Sequence, residues 1–306
     1  MLNKRQKGIA LVVVLWTVAL LTIMAAGYSA TMRTETRLTA NQLQVAQSRA
    51  LAEAGIWLGV KDLLRPLPDQ QIPKDGAAHE VVLEQGTVIL HIHDEAGRID
   101  LNSARSEILM TLLQYAGMDQ DAATGVLNAI LDWRDQDDQV REQGAEEFQY
   151  KRAGLDYGPK NGPFNSIEEL RLVLGMTEPV FTRLRPLLTL HSNQPGINPA
   201  VASRETLTAL SGEDSTGVDE FMANRIGNEQ TGGVEMLTGI DSRFFSSSRD
   251  KNYLIVSEGT VGGSKMRLQA VIMKKNLQQP YTVLSWQETK VYGNSEQDRE
   301  DDNEQD

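Results

Sequence analysis

The chain contains no cysteine. A disulfide framework, a thiol nucleophile and a Cys-ligated zinc or iron–sulfur site are excluded, though an oxidising compartment is not. Positive charge is also scarce. Lys and Arg number 30 against 42 Asp and Glu, a net charge of −12. Recognition of a phosphate backbone needs a positive surface, so nucleic acid is excluded as the expected partner. Histidines number four. No H-E-x-x-H, G-x-S-x-G or G-x-x-x-x-G-K-[ST] pattern marks a hydrolase or nucleotide site. Apolar residues are not scarce. They make up 40% of 306 residues, with 24% charged, enough for a packed core and two compact domains.

No proline occurs before Pro66. Residues 1–8, MLNKRQKG, carry Lys4, Arg5 and Lys7 and no acid; residues 9–27, IALVVVLWTVALLTIMAAG, carry no charge. As a helix the latter cover about 28 Å, one hydrocarbon core. The basic flank predicts a cytoplasmic N-terminus and an exported remainder. An ordinary secretory signal would have a shorter apolar run and then a cleavage site. Here the helical pattern continues: Leu43, Ala46, Ala50, Ala54 and Trp57 recur at gaps of three and four. A continuous helix from Ile9 to Leu64 would be about 84 Å long. Its first half belongs in lipid and its second half on a globular head.

A basic leader ending in Gly8, with Ile9 opening an apolar helix, resembles the class III signal of type IV pilins and type II secretion pseudopilins. That resemblance implies cleavage between Gly8 and Ile9 by a prepilin peptidase, methylation of the new N-terminus, and retention of the apolar stretch as membrane anchor and fibre core. Loss of Lys4, Arg5 and Lys7 takes the net charge from −12 to about −15. Most members have Glu as the fifth mature residue; here it is Val13. A lone carboxylate in lipid is expensive unless paired, and in fibres this one is thought to offset the N-terminal amine of a neighbour. A subunit without it suits the tip. The K class of minor pseudopilins typically lacks this Glu and is unusually large, as this chain is.

Residues 66–78 read as a loop rich in Pro, Asp, Gln and Gly. EVVLEQGTVILHIHD, residues 80–94, reads as a hairpin across Gln85-Gly86, with Val88, Leu90 and Ile92 on one apolar face and His91 and His93 on the other. The two histidines suggest a solvent-facing strand edge, with a metal pair as the alternative. From about Asp100 to Phe245 the pattern is helical. Candidate helices are 103–116, 120–133, 167–174, 179–187 and 204–210, with Ser166-Ile167-Glu168-Glu169 as a capping box. Strands return at 253–261, 266–273 and 281–286. Asn102-Ser103-Ala104, Asn165-Ser166-Ile167 and Asn198-Pro199-Ala200 each precede a predicted helix, and Gly117-Met118, Gly175-Met176 and Ser211-Gly212 follow one. This repeat is similar to helix-hairpin-helix modules. Asp119, Asp121 and Glu178 beside the turns favour packing over phosphate binding.

The expected fold is α+β and pilin-like: a long N-terminal helix on an antiparallel sheet, with a large inserted all-α domain carrying the helix-hairpin-helix-like repeats. The expected bounds are leader 1–8, transmembrane half-helix 9–27, periplasmic half-helix 28–65, sheet head 80–99 and 246–290, insert 100–245 and acidic tail 293–306. The tail carries seven acids and one Arg and reads as solvated.

Asp132, Asp135, Asp137, Asp138, Glu142, Glu146 and Glu147 crowd into sixteen residues, offset by Arg134 and Arg141. Crowded carboxylates invite a hard divalent cation, and calcium takes 6–8 oxygen ligands. The alternative is a solvated acidic loop. An EF-hand is excluded because Val140 stands where that loop needs Gly. The stretch DWRDQDDQVREQGAEEFQY resembles the calcium-binding region of the K class. That resemblance implies metal ligation by Asp135, Asp137, Glu146 and Glu147, with Asp132 as a further candidate.

The function so implied is structural rather than enzymatic. A minor pseudopilin in the inner membrane, single-pass with its head in the periplasm, initiates and caps the type II secretion pseudopilus for protein export across the outer membrane. Implied partners are the I- and J-class minor pseudopilins, then the H class, the prepilin peptidase and the inner-membrane assembly platform. Contact with secreted exoproteins is left open. The alternatives are a type IV minor pilin for adhesion or DNA uptake, and a membrane-anchored metal-dependent hydrolase.

Overall fold

One helix, α1, runs from Lys7 to Leu63 without a break. No proline interrupts its hydrogen-bond ladder. The computed structural model describes residues 7–212, 216–225, 237, 239–246, 251–276 and 278–290. Most of the leader and the acidic tail lie outside the described residues.

The two halves of α1 meet different surroundings. From Leu11 to Met24 its apolar side chains stand clear of the rest of the chain, Trp16 at 75% exposure. From Ser48 onward one face is buried: Ser48, Leu51, Ala52, Gly55, Ile56, Gly59, Val60 and Leu63. This is not the stripe expected from Leu43, Ala46, Ala50, Ala54 and Trp57. Leu43 and Trp57 are exposed. The face that packs is the one where Ser48, Ala52, Gly55 and Gly59 let the helix backbone approach the sheet and Leu51, Ile56, Val60 and Leu63 pack around them. A Cβ on Gly55 would overlap Ser257 Oγ and come within 2.6 Å of Val88 Cγ1. Across the contact, a Cβ on Gly259 would overlap the Ser48 carbonyl oxygen.

The sheet consists of β1 (His79–Leu83), β2 (Gly86–Asp94), β5 (Asn252–Val261), β6 (Ser264–Lys274) and β7 (Tyr281–Lys290), all antiparallel, in the order β1-β2-β5-β6-β7. Strands before and after the helical block therefore share one sheet. Val88, Leu90 and Ile92 on β2 join Ile255, Met266, Leu268, Ala270 and Ile272 in the core beneath α1. The alternation seen in the sequence puts these residues on one face. At the end of α1, Asp62 is buried and its carboxylate accepts from Gln71 N at 3.0 Å and Ile72 N at 3.1 Å, folding the 66–78 loop back.

The two histidines of β2 are not on a strand edge, because β2 lies between β1 and β5. Residues 74–76 lie across them, with Gly76 N donating to Ile92 O and His91 Nδ1 3.0 Å from Gly76 O. Burial, then the neighbouring Arg98, pushes His93 down to about 4.

Between β2 and β5 the chain builds a second core. It contains β3 (Ile99–Asp100) and β4 (Leu188–Thr189), a short parallel pair, and the helices α2 (Ser106–Tyr115), α3 (Gln120–Arg134), α4 (Glu147–Arg152), α5 (Glu178–Leu184), α6 (Arg204–Ser211) and α7 (Thr216–Arg225). Ile108, Leu112, Ile130, Trp133, Tyr150, Phe181 and Leu207 are among its buried residues. The helices α4 and α7 were absent from the expected set. Ile167–Leu172 is a 3-10 helix, and Ser166 makes no side-chain cap. Glu169 instead accepts from Asn165 N and pairs with Lys160. Gly117, Gly175 and Gly212 all adopt positive φ, as the repeat's turns require.

The close approach at Gly55 generates a test. Ala favours a helix by about 1 kcal/mol over Gly, so Gly55→Ala would stabilise an open helix. Here it should lower the head's unfolding free energy by about 1–3 kcal/mol through overpacking. Gly27→Ala, with nothing within 4 Å, should leave it unchanged. Denaturant unfolding of the full chain in detergent, followed by tryptophan fluorescence, checks both.

Candidate functional site

The acidic segment lies at the end of α3, a helix begun by Asp119 capping Ala122 N. Its last turn brings in Asp132, Trp133 and Arg134. Trp133 stacks on Phe164 with ring centres 5.9 Å apart and leans on Tyr150 at 6.2 Å. Arg134 donates to the carbonyls of Leu101 and Ala104, fixing the helix end to the start of the block. The chain then turns back beneath α3 through residues 135–145 and enters α4.

Asp132 closes this loop. It is fully buried. Its Oδ2 accepts from Ala145 N at 2.9 Å and Arg141 N at 3.3 Å, and its Oδ1 accepts from Arg141 Nη1 at 2.6 Å. The same nitrogen of Arg141 donates to Asp135 Oδ2. These two carboxylates hold the Arg141 proton more tightly than usual.

Glu146 sits at the N-terminus of α4 at 6% exposure. Its backbone N donates to Gln149 Oε1 at 3.0 Å. Its carboxylate faces the Gln149 backbone N–H in a capping box, and both oxygens are buried without a hydrogen bond of standard geometry among the described residues. A helix N-terminus favours a negative charge, yet burial, then the charges of Asp132, Asp135, Asp138 and Asp137, pushes Glu146 up to about 7.

The expected ligands divide in this structure. Asp132, Asp135 and Glu146 come together around the loop. Asp137 accepts from Gln139 N within its own turn. Glu147 is exposed and pairs with Lys151, which holds its carboxyl below the usual range. Among the described residues, no three His, Asp or Glu side chains converge in a metal-holding geometry. The charge between Asp132 and Asp135 is met by Arg141. Donor chemistry nevertheless fits a hard cation. Glu146 Oε1 and Oε2, Asp135 Oδ1 and Asn161 Oδ1 are buried oxygens that accept no hydrogen bond of standard geometry from the described residues. Asn161 was missed in the sequence. It lies far along the chain in a polar stretch, and its Nδ2–Asp138 Oδ1 bond at 2.7 Å and the neighbouring Gly162 N–Trp133 O bond at 3.2 Å bring it to the loop.

Two further places bear on function. In α1, Val13 is 55% exposed within the apolar stretch, and Gly8 and Ile9 lie in its first turn. A cleft of about 820 Å³ lies between the outer sheet face and the helical block, lined by His91, His93, Arg98, Arg185, His191 and Arg267 among others. Its arginines are matched: Arg98 by Glu95, Arg185 by Glu168 and Arg267 by Glu258.

Comparison with known proteins gives consistent results. A model of the family described as type II secretion system (T2SS), protein K, matches residues 89–193, from β2 through the acidic loop to just beyond β4. The type II secretion system protein K of Pseudomonas aeruginosa is 30% identical over 231 residues, covering 68% of this chain and 69% of that protein. The protein of the same name from Klebsiella pneumoniae is 28% identical over 60% of this chain and 63% of its own length. That from Aeromonas hydrophila is 23% identical over 89% of this chain and 94% of its own. Among solved structures, a chain of the GspK-GspI-GspJ complex from enterotoxigenic Escherichia coli superposes with a TM-score of 0.57 and 19% identity, over 85% of this chain and 99% of that one. At that identity the likeness is one of fold, and it matches the long helix, antiparallel sheet and helical block described above.

Two measurements in chelator test the electrostatics. Removing Asp132 strands the buried Ala145 N–H and frees the loop, so Asp132→Ala should cost about 3 kcal/mol or more. Glu146 has a folded value of about 7 against an ordinary 4.5. Between these values the folded chain keeps a proton that the unfolded chain releases. Stability should therefore fall as pH rises from about 4.5 to 7. Thermal melts across that range should flatten in Glu146→Gln and keep their slope in Glu147→Gln.

Proposed function

The chain belongs to the type II secretion system protein K family, and on that premise we propose that it is a minor pseudopilin that starts and caps the secretion pseudopilus. The observation that carries this reading is the division of α1. Its apolar residues 11–24 stand exposed, packed by none of the other described residues, while its far end is built into the sheet core. Such a surface is stable in lipid or against equivalent helices, and not in water.

The sequence of events follows from that surface. The basic leader holds the N-terminus in the cytoplasm, a peptidase cuts between Gly8 and Ile9, and the new N-terminus is methylated. The apolar half-helix stays in the inner membrane with the head in the periplasm. It leaves the bilayer when it can bury itself among sister stems. Counterparts of the I- and J-class pseudopilins are the first partners, a reading supported by the complex that the fold neighbour forms with GspI and GspJ. The H class and the inner-membrane assembly platform come next. Val13 removes the need for a neighbour's amine below it, and the bulky helical block obstructs another subunit above it. Both features suit the tip. The names of the relatives, all secretion-system components, support a structural rather than a catalytic role.

The acidic loop fits calcium in this role. Asp135 and Glu146, with Asn161, offer buried oxygens without a hydrogen bond of standard geometry; Asp137 and Glu147 would join only by leaving their present partners. The ion would neutralise the carboxylates and tie the loop to α3 and α4.

Three measurements test the proposal. Mass spectrometry of the mature chain should find a methylated Ile9 as the first residue; a start beyond residue 28 would sink it. Deletion of the gene should abolish secretion and leave twitching and transformation intact, whereas loss of those two would point to a type IV minor pilin. Millimolar calcium should raise the melting temperature of the full chain by several degrees over magnesium or chelator. That shift should vanish in Glu146→Gln.

A further inference from the structure

We infer that residues 74–76 are an acid-released latch: they tie the end of the stem to the helical block while the imidazole of His93 beneath them is neutral, and they let go when that ring takes a proton. The device is built into the head and depends on neither the secretion reading nor the calcium reading.

Residues 74–76 lie against β2 just beyond the end of β1, with Asp75 bridged antiparallel to His93. Two backbone bonds hold them there, Gly76 N to Ile92 O at 2.9 Å and Asp94 N to Lys74 O at 2.8 Å. His91 Nδ1 adds a third contact, 3.0 Å from Gly76 O. A carbonyl only accepts, so this nitrogen carries the hydrogen. A neutral ring and a charged ring both satisfy that bond, so protonation of His91 does not break it. His93 is placed differently. The strap passes directly over its ring: Gly76 has a φ of +84°, and a Cβ there would overlap the imidazole. A hydrated, charged ring has no room while the strap is down. Past the strap, Asp75 Oδ2 accepts from Arg225 Nη2 at 2.5 Å, and Arg225 Nη1 donates to Ala202 O at 2.6 Å. The strap therefore joins the loop that follows α1 to α7.

The charges around this ring come from every element packed on it. The strap brings Asp75, engaged by Arg225 of α7, with Lys74 beside it. β2 brings His91, and Asp94, which accepts from Ala96 N. The turn after β2 brings Glu95 and Arg98, paired at 3.3 Å, and Arg98 is pinned further by Pro186 O at 3.2 Å. β5 places uncharged Leu254 opposite His93. Arg185 and His191 stand on the block side of the cleft that His93 lines. Burial opposes a proton on His93 most strongly, then Arg98 and His91; Asp75 favours one, and the ring is held down to about 4. With the strap lifted it meets water and titrates near the ordinary 6.5. The closed form has the lower value, so opening takes up a proton. The latch is therefore at full strength above about 6.5 and weakens as pH falls toward 4. These two values make opening about 25-fold more frequent at pH 5 than at pH 7.5.

The test is amide hydrogen exchange of the full chain in detergent at pH 7.5 and pH 5, resolved to single residues and corrected for the intrinsic rate at each pH. Opening at the Gly76 and Asp94 amides, which close the strap, should rise about 25-fold at the lower pH. Ile255, in the sheet core, should change by less than about threefold. His93→Gln has no proton to take up, and its strap amides should also stay within about threefold. His91→Gln loses the bond to Gly76 O, so its strap should open more often at both pH values and keep the rise. The latch is disproved if the strap amides do not respond to pH, if His93→Gln responds as the unsubstituted chain does, or if Ile255 rises equally, which is global acid unfolding. Ring-proton NMR of the unsubstituted chain needs no variant to fold. The His93 ring should remain neutral down to about pH 5; a ring that charges near 6.5 while the strap amides stay protected also disproves it.

Discussion

The close approach of α1 to the sheet at Gly55 and Gly259 is the contact on which the rest depends. A helix that carries a membrane anchor at one end must be held at the other without slipping or rolling. Small residues do this here. Ser48, Ala52, Gly55 and Gly59 let the helix backbone settle onto β2, β5 and β6, and Leu51, Ile56, Val60 and Leu63 pack around it. Gly55 and Gly259 leave no room for a Cβ, so the depth of the helix is set by the α1 backbone against Gly259 and by the packed side chains of Val88, Leu90 and Ser257 against Gly55. Arg49 pairs with Glu288 at 3.0 Å on the rim of β7. With no proline before Pro66, the direction of the exposed half follows from that seat.

The sequence announced the elements with strong periodicity and missed those that rest on small residues or distant partners. The apolar run, the hairpin and the late strands were legible because alternation and length decide them, although the hairpin turns at Glu84-Gln85, with Gly86 paired to Leu83, and not across Gln85-Gly86. The packing stripe was not. The i, i+3, i+4 spacing fits Leu43, Ala46, Ala50, Ala54 and Trp57 as well as it fits Leu51, Ile56, Val60 and Leu63, and the Ser48, Gly55 and Gly59 that decide which face meets the sheet carry no apolar signal. Trp57 turned out to meet Tyr281 and Trp286 at the helix–β7 seam, each at 6.0 Å. The helices α4 and α7 are short and held by tertiary contact, so local pattern could not define them. At the acidic loop the residue types were legible and their grouping was not. Spacing cannot say that Asp132 turns inward to cap its own loop, that Glu147 turns outward to Lys151, or that Asn161 returns to Asp138 from a later segment.

That loop also shows how a cluster of like charge is made tolerable. Asp132 is neutralised by a guanidinium and two backbone N–H groups. Asp137 and Asp138 are absorbed by a turn and an amide. Glu146 has only the capping N–H of Gln149 beside it and relieves the repulsion by holding its proton, burial and the neighbouring carboxylates raising it to about 7. The cluster is thus balanced by three different means. The group balanced least completely is the one anchored at the start of a helix, where it can move little.

The pose of the helical block relative to the stem is fixed by polar contacts at the junction. Asp62, at the end of α1, turns the 66–78 loop back along β2. From that loop Asp75 reaches Arg225 of α7 at 2.5 Å, and Arg225 also donates to Ala202 O at 2.6 Å. A second tie runs from Glu95, which has no exposed surface, to Arg98 and to Thr189 of β4. These groups are withdrawn from water, so breaking one partner strands the other at a cost of several kcal/mol. Two chain crossings alone would let the block swing on the sheet. The Asp75–Arg225 tie binds it to the segment that directly continues α1. The stem therefore sets the pose of the block as well as that of the sheet, and a force applied along the helix reaches both cores together.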